Sequence, residues 1–225
     1  MTAFGGGAFP PGIPAGGGGG GSRPSGMVLT RPRIADFTTL GNGTVSDVDA
    51  GVLFSVPDSA STFANTTSIV QAKPGSTPWT LYAQWSVPFP DYAGGMHFAV
   101  NESSTGKYVS FGTYVESSAR VYWNYSTWAS LTSRSSSTGA DVPLAGNAFF
   151  SLSHTAANNF EFRMSLSGVV GSYVLLHSVS TTSHLSTYDR VGLLSWSFDD
   201  VVSENSTPVV THWSTSPPTW VVGAV

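Results

Sequence analysis

The sequence predicts an all-β protein, a two-sheet antiparallel β-sandwich with an extended Gly/Pro-rich N-terminal arm. Three observations carry that prediction. Apolar and polar residues alternate with a period of two through many short runs, the mark of strands half-buried against a core. Gly, Pro, Asn and Ser-Thr-Gly clusters separate those runs and supply turns. No run shows the longer period of an amphipathic helix.

Residues 1–26 cannot build a core, because glycine and proline dominate and six glycines run through 16–21. Phe4, Phe9 and Ile13 are nevertheless spaced along this arm with prolines between. Composition leaves two readings open, a disordered tail or an extended peptide whose apolar anchors dock on a partner.

The sandwich is expected over residues 27–205. Two early strands are broken by Pro32 and by Gly41-Asn42-Gly43, and Ile69, Val70 and Ala72 enter a third before Lys73-Pro74-Gly75. From Trp79 to Gly112 three strands are expected to form an antiparallel meander. Trp79, Leu81, Ala83, Trp85 and Val87 share one face of the first, and Met96, Phe98 and Val100 resume the alternation after Gly94-Gly95. Val121, Trp123 and Tyr125 then oppose Arg120, Tyr122 and Asn124, and SLTSRSSSTGADVPLAG reads as a polar loop at the sandwich edge. Phe160, Phe162, Met164 and Leu166 alternate with Glu161, Arg163 and Ser165, with a hairpin at 156–159 before them. Residues 206–225 read as a Pro-broken apolar tail that packs back on the domain or adds to a neighbour.

Composition narrows the function. Only 10% of residues are charged and the net charge is −4, with Lys73 and Lys107 the only lysines. Nucleic-acid binding is not expected, since phosphate neutralisation needs clustered cations. The absence of cysteine removes disulfides, thiolate metal sites and cysteine nucleophiles together. No secretory signal and no apolar run of ~20 residues are seen, so membrane insertion is not expected either.

WTLYAQWSVPF, the pair FFSLSHT and NNFEFRMSLSG, and the closing YDRVGLLSW resemble the concanavalin A-like lectin/glucanase jelly roll, in its bacteriophage fibre and virion-protein form. The resemblance covers about half of the chain. It implies a virion location, virion-protein partners (tail, baseplate or capsid), host-surface carbohydrate as ligand, and a homo-oligomer in which a trimer is favoured. A capsid decoration protein that clamps shell subunits is the alternative.

The glucanases of such a fold use carboxylates in the pattern Glu-x-Asp-x-x-Glu, because glycoside hydrolysis needs a pair held at a defined spacing. Glu102, Glu116, Glu161 and Glu204 stand apart and none has an aspartate two residues on, so no enzymatic role is expected. Asp47 and Asp49 share a face, but an ordinary polar turn is favoured there over a cation site, and neither a metal nor a cofactor is expected. His97, His154, His177, His184 and His212 lack ligand spacing, and His97 reads as an outward-facing strand residue. Aromatic rings suit sugar C–H faces while tolerating water at one end. The expected glycan site is therefore Tyr92, Asn124, Tyr125 and Trp128, with Tyr92 and Trp128 exposed.

Overall fold

The computed structural model describes residues 26–57, 65–86, 93–115, 121–141, 148–198 and 207–221. Phe4, Phe9, Ile13 and Tyr92 lie outside them. The described strands are, in chain order, β1 (Gly26–Val28), β2 (Thr38–Gly41), β3 (Thr44–Val48), β4 (Gly51–Ser55), β5 (Thr66–Ala72), β6 (Trp79–Ser86), β7 (Ala93–Glu102) and β8 (Lys107–Val115). They continue with β9 (Val121–Ser130), β10 (Ser133–Asp141), β11 (Phe149–His154), β12 (Asn159–Ser165), β13 (Val174–Ser180), β14 (Arg190–Phe198), β15 (Val209–Ser214) and β16 (Thr219–Val221). The described helical structure is one 3-10 turn, Ile34–Asp36. Among the described residues no helix is long and apolar enough to cross a membrane.

Two seven-stranded sheets form the sandwich. The front sheet runs β10-β9-β8-β7-β14-β5-β2 and the back sheet β13-β12-β11-β6-β15-β4-β3, with every pair antiparallel. Each sheet turns one apolar face inward, as the period of two requires. Met96, Phe98, Val100, Val109 and Phe111 of the front sheet meet Leu81, Trp85, Phe150, Leu152 and Phe162 of the back sheet in one buried cluster. Trp85 stacks on Phe150 at 4.3 Å and meets Phe98 edge-on at 5.3 Å. Its indole nitrogen is satisfied by Thr113 Oγ1 at 3.0 Å.

The expected meander from Trp79 is replaced by a crossing between sheets. β7 and β8 do pair, through the turn closed by Gly106 N–H on the Glu102 carbonyl. β6 instead lies in the back sheet between β11 and β15. Alternation states which face of a strand is apolar, and both sheets bury such a face, so the pattern cannot choose between them.

Two further segments differ from the sequence reading. The Ser/Thr-rich stretch after β9 is an edge strand, β10, exposed along most of its length and paired with β9 through two irregularities. Residues 206–225 contain β15, which sits inside the back sheet with Val210 and Trp213 buried, and β16, which pairs with β1 as a separate ribbon. The prolines of that segment fall between the strands and leave their ladders intact.

Candidate functional site

The outer face of the front sheet holds the aromatic surface that the fold builds most deliberately. Strand register lays its residues out in rows. Asp141, Tyr122, Tyr114, Gly95, Trp196 and Thr66 are consecutive partners across β10, β9, β8, β7, β14 and β5. The next row is Gly139, Asn124, Gly112, His97, Leu194 and Ser68. Tyr114 and Tyr122 are half-buried and stack at 5.0 Å with an interplanar angle of 17°. Trp196 continues the row 5.8 Å from Tyr114.

Glycine makes this continuity possible. A Cβ on Gly95 would stand 2.5 Å from Trp196 Cε2, so only hydrogen lets the indole lie across β7. At Gly112 a Cβ would meet the His97 ring at 2.5 Å and the Met96 carbonyl oxygen closer still. Arg134 of β10 reaches over the face and places its guanidinium carbon 5.8 Å from the Trp196 ring centre.

Under the row lies a buried polar set. Trp128 Nε1 donates to Ser110 Oγ at 2.8 Å, and His97 Nδ1 is 3.0 Å from the same oxygen. Among the described residues His97 Nε2 has no hydrogen-bond partner. Burial first, and the nearby Arg134 charge second, push the His97 pKa down to about 3, so its imidazole is neutral.

The structure does not bring the sequence-predicted site residues to one surface. Asn124, Tyr125 and Trp128 all lie on β9 and are all buried. Tyr125 belongs to the cluster between the sheets, stacked on His177 at 4.9 Å. Asn124 and Trp128 sit on the outer face beneath its surface, where Asn124 Oδ1 accepts from the Ser126 hydroxyl. Trp128, expected to be exposed, is fully buried in a second cluster with Ala99, Tyr108, Leu194 and Trp196. His97 points away from the sandwich core as expected, yet is fully buried for the same reason: this outer face carries its own packed layer. Sequence reading missed Tyr114 and Trp196. The signal available was their equivalence to Tyr122 in strand phase, which becomes visible only once register is known.

Other polar candidates are tied into the framework. Asp47 Oδ1 accepts from Ile34 N–H at 3.0 Å. Glu161 pairs with Arg163 at 2.7 Å, and Glu102 accepts from Thr105 and Thr187. His154 Nδ1 faces the Tyr188 hydroxyl, and His212 Nδ1 accepts from Thr30 N–H at 2.9 Å. A separate groove of about 490 Å³ on the back-sheet side is lined by Pro74, Pro78, Trp79, Thr80, Tyr82 and Thr215.

No family model and no curated relative matches the sequence. Solved structures do share the fold. The CBM2 module of an evolved Dit from Lactobacillus casei BL23 phage J-1 aligns with TM-score 0.50 and 12% identity, over 83% of this chain and 82% of that one. GH43B of a Bacteroides ovatus xyloglucan PUL gives TM-score 0.50 and 11% identity, over 83% and 36%. A xylan β-1,4-xylosidase from Bacillus halodurans C-125 gives 0.50 and 7%, over 72% and 32%. The chain thus spans about a third of those two chains. At such identities the likeness shows the fold alone. The jelly-roll expectation holds at that level. The expectation of no enzymatic role is corrected, because this fold also houses glycoside-cleaving proteins and is compatible with catalysis.

Proposed function

We propose that the chain is a bacteriophage virion protein, a tail-fibre or receptor-binding component whose sandwich takes a host-surface glycan on the outer face of the front sheet. One observation carries the reading: Tyr122, Tyr114 and Trp196 form a continuous aromatic row, with Asp141 at its end and Arg134 above it. Aromatic faces accept the C–H side of a sugar ring, while a carboxylate and a guanidinium take its hydroxyls. The virion context is supported by the phage Dit module that shares the fold. In this reading the arm ties the protein to the particle through Phe4, Phe9 and Ile13.

Binding of the full chain to arrayed host-surface polysaccharides tests the glycan role, with new reducing ends measured in parallel because the fold admits cleavage. Tyr114→Ala and Tyr122→Ala are each expected to weaken retention about fivefold. Loss with Tyr82→Ala alone moves the site to the back-sheet groove, and no retention of any glycan by the wild type ends the proposal. Immuno-electron microscopy locates the protein on the particle, and labelling of the capsid in place of the tail defeats the fibre assignment.

A further inference from the structure

The two seven-stranded sheets have four edges, and three of them carry devices that prevent strand addition. β2 is only four residues long. β3 includes Asp47, whose carboxylate is held by the 3-10 turn packed beside it. β10 carries Arg134 and Asp141 and is interrupted by two register shifts. The fourth edge, β13, is less guarded: it has one register shift, against β12 at Leu176, but it is neither short nor charged. It is seven residues long, VLLHSVS, with no charge and no proline. Among the described residues no strand lies beyond it.

Its surroundings are equally unguarded. Between Arg163 and Asp189 the chain has no Asp, Glu, Lys or Arg. In that stretch Leu166 is 65% exposed, Val170 74% and Val174 65%, with Val169 and Leu175 close to half. These residues form β13 and the loop that leads into it. An apolar, uncharged, hydrogen-bonding edge left in water invites another strand.

We infer that β13 is an assembly edge whose occupant is β13 of a second copy of this chain, paired antiparallel across a two-fold axis so that the two back sheets become continuous. Identical strands meeting edge to edge in antiparallel sense obey a two-fold, and the same patch then serves both partners. A charge-free face suits itself, since it brings no like charges together, whereas a charged partner would leave its own charges unpaired against it. The ladder uses backbone groups of β13 that bond no strand among the described residues, and the adjoining Val and Leu side chains leave water. This inference is independent of the glycan site, which lies on the other sheet.

Sedimentation velocity of the full chain tests it. A concentration-dependent dimer is expected, and Val174→Lys with Leu175→Lys should raise its Kd by about 100-fold or more, since like charges facing across an interface cost several kcal/mol. Ser137→Lys on β10 should leave the dimer intact. Thermal unfolding identifies any variant that fails to fold, and the absence of native cysteine provides a second measurement on the unaltered edge. Single cysteines placed in turn at 174, 175, 178 and 180 should yield a disulfide-linked dimer at the position nearest the axis. A wild-type monomer, a trimer, no cross-link at any of the four positions, or association lost on deleting residues 1–25 but untouched by the lysines would each overturn the assignment.

Discussion

Arg134 and Trp196 belong to strands four places apart in the front sheet, yet the guanidinium carbon lies 5.8 Å from the centre of the indole ring. In a flat sheet four inter-strand steps alone span about 19 Å. The sheet therefore curls, and long side chains from distant strands close over its outer face. That closure explains why His97, Trp128 and Trp196 are buried on a face that alternation assigns to solvent. It also brings a cation next to a histidine already starved of water.

Gly95 is the position where this layer has least tolerance. Gly95→Ala puts a methyl group within van der Waals overlap of Trp196. The indole has to leave its place between Tyr114 and His97, which it meets at 5.8 and 5.9 Å. Overpacking of this kind costs about 1–3 kcal/mol. A lower urea midpoint together with a shifted tryptophan emission is expected, and an unchanged emission would show that the ring does not rest on Gly95.

The neutral His97 makes the protein sensitive to acid. Its folded pKa, about 3, lies below the value of about 6.5 in an unfolded chain, so the unfolded state binds the extra proton first. Stability is therefore complete above pH ~6.5 and declines as pH falls towards ~3, by no more than roughly 5 kcal/mol from this group. Burial lowers the His177 and His212 pKa values in the same direction. Urea titrations at pH 7, 5 and 4 should show the decline, and His97→Gln, which keeps a polar group near Ser110 without a titrating ring, should flatten it in part.

Ser110 Oγ serves two partners at once, Trp128 Nε1 and His97 Nδ1. Trp128→Phe removes one donor together with its bond and should cost about 1 kcal/mol beyond the change in packing. Ser110→Ala leaves two buried nitrogens without their oxygen and should cost more, about 2–4 kcal/mol, from a far smaller change in volume. Equal losses in the two variants would mean that the shared hydroxyl is not what holds the pair.

Strand positions were legible in the sequence because alternation and turn residues act locally. β6, β7, β8, β11 and β12 fall where the pattern puts them, and the 156–159 hairpin closes with Asn158 at φ 57°. Partnership was not legible, since β6 and β7 have similar patterns but belong to different sheets. The candidate residues of β9 do not share a surface for a related reason. Asn124, Tyr125 and Trp128 are near neighbours along β9, but strand geometry sends Tyr125 inward and the other two outward, and the curl then buries the outward pair. Tyr114 and Trp196 lie far from Tyr122 in sequence and join it only through register.

If Tyr122, Tyr114 and Trp196 are a sugar platform, their contributions differ in kind. Tyr114 and Tyr122 are half-buried, so Tyr114→Ala and Tyr122→Ala should each weaken glycan binding about fivefold, by removing a stacking face worth roughly 1 kcal/mol, at modest cost in stability. Trp196 is 2% exposed, and Trp196→Ala should unfold the layer before binding is affected. Calorimetric titration beside thermal unfolding separates the two effects. Binding left unchanged by both tyrosine substitutions removes the row from consideration.

The C-terminal strands give the sharpest test of the architecture. β15 lies between β4 and β6, so the back sheet is not continuous without it. Val210 is fully buried, and Trp213 packs on Phe37 and Phe98 at 5.8 and 5.9 Å. Its main chain also pins the start of the body, because Trp213 N–H donates to the Thr30 carbonyl and His212 accepts from Thr30 N–H. A chain ending at residue 205 would expose the inward faces of two strands and cut the sheet in two, a loss well beyond the roughly 5–15 kcal/mol by which a domain is stable. That truncation should be insoluble, or lack the cooperative thermal transition of the full chain. A chain ending at residue 218 loses only the β1–β16 ribbon and should keep that transition. A folded, soluble 1–205 fragment would show that the last strand is an appendage to a sandwich complete without it.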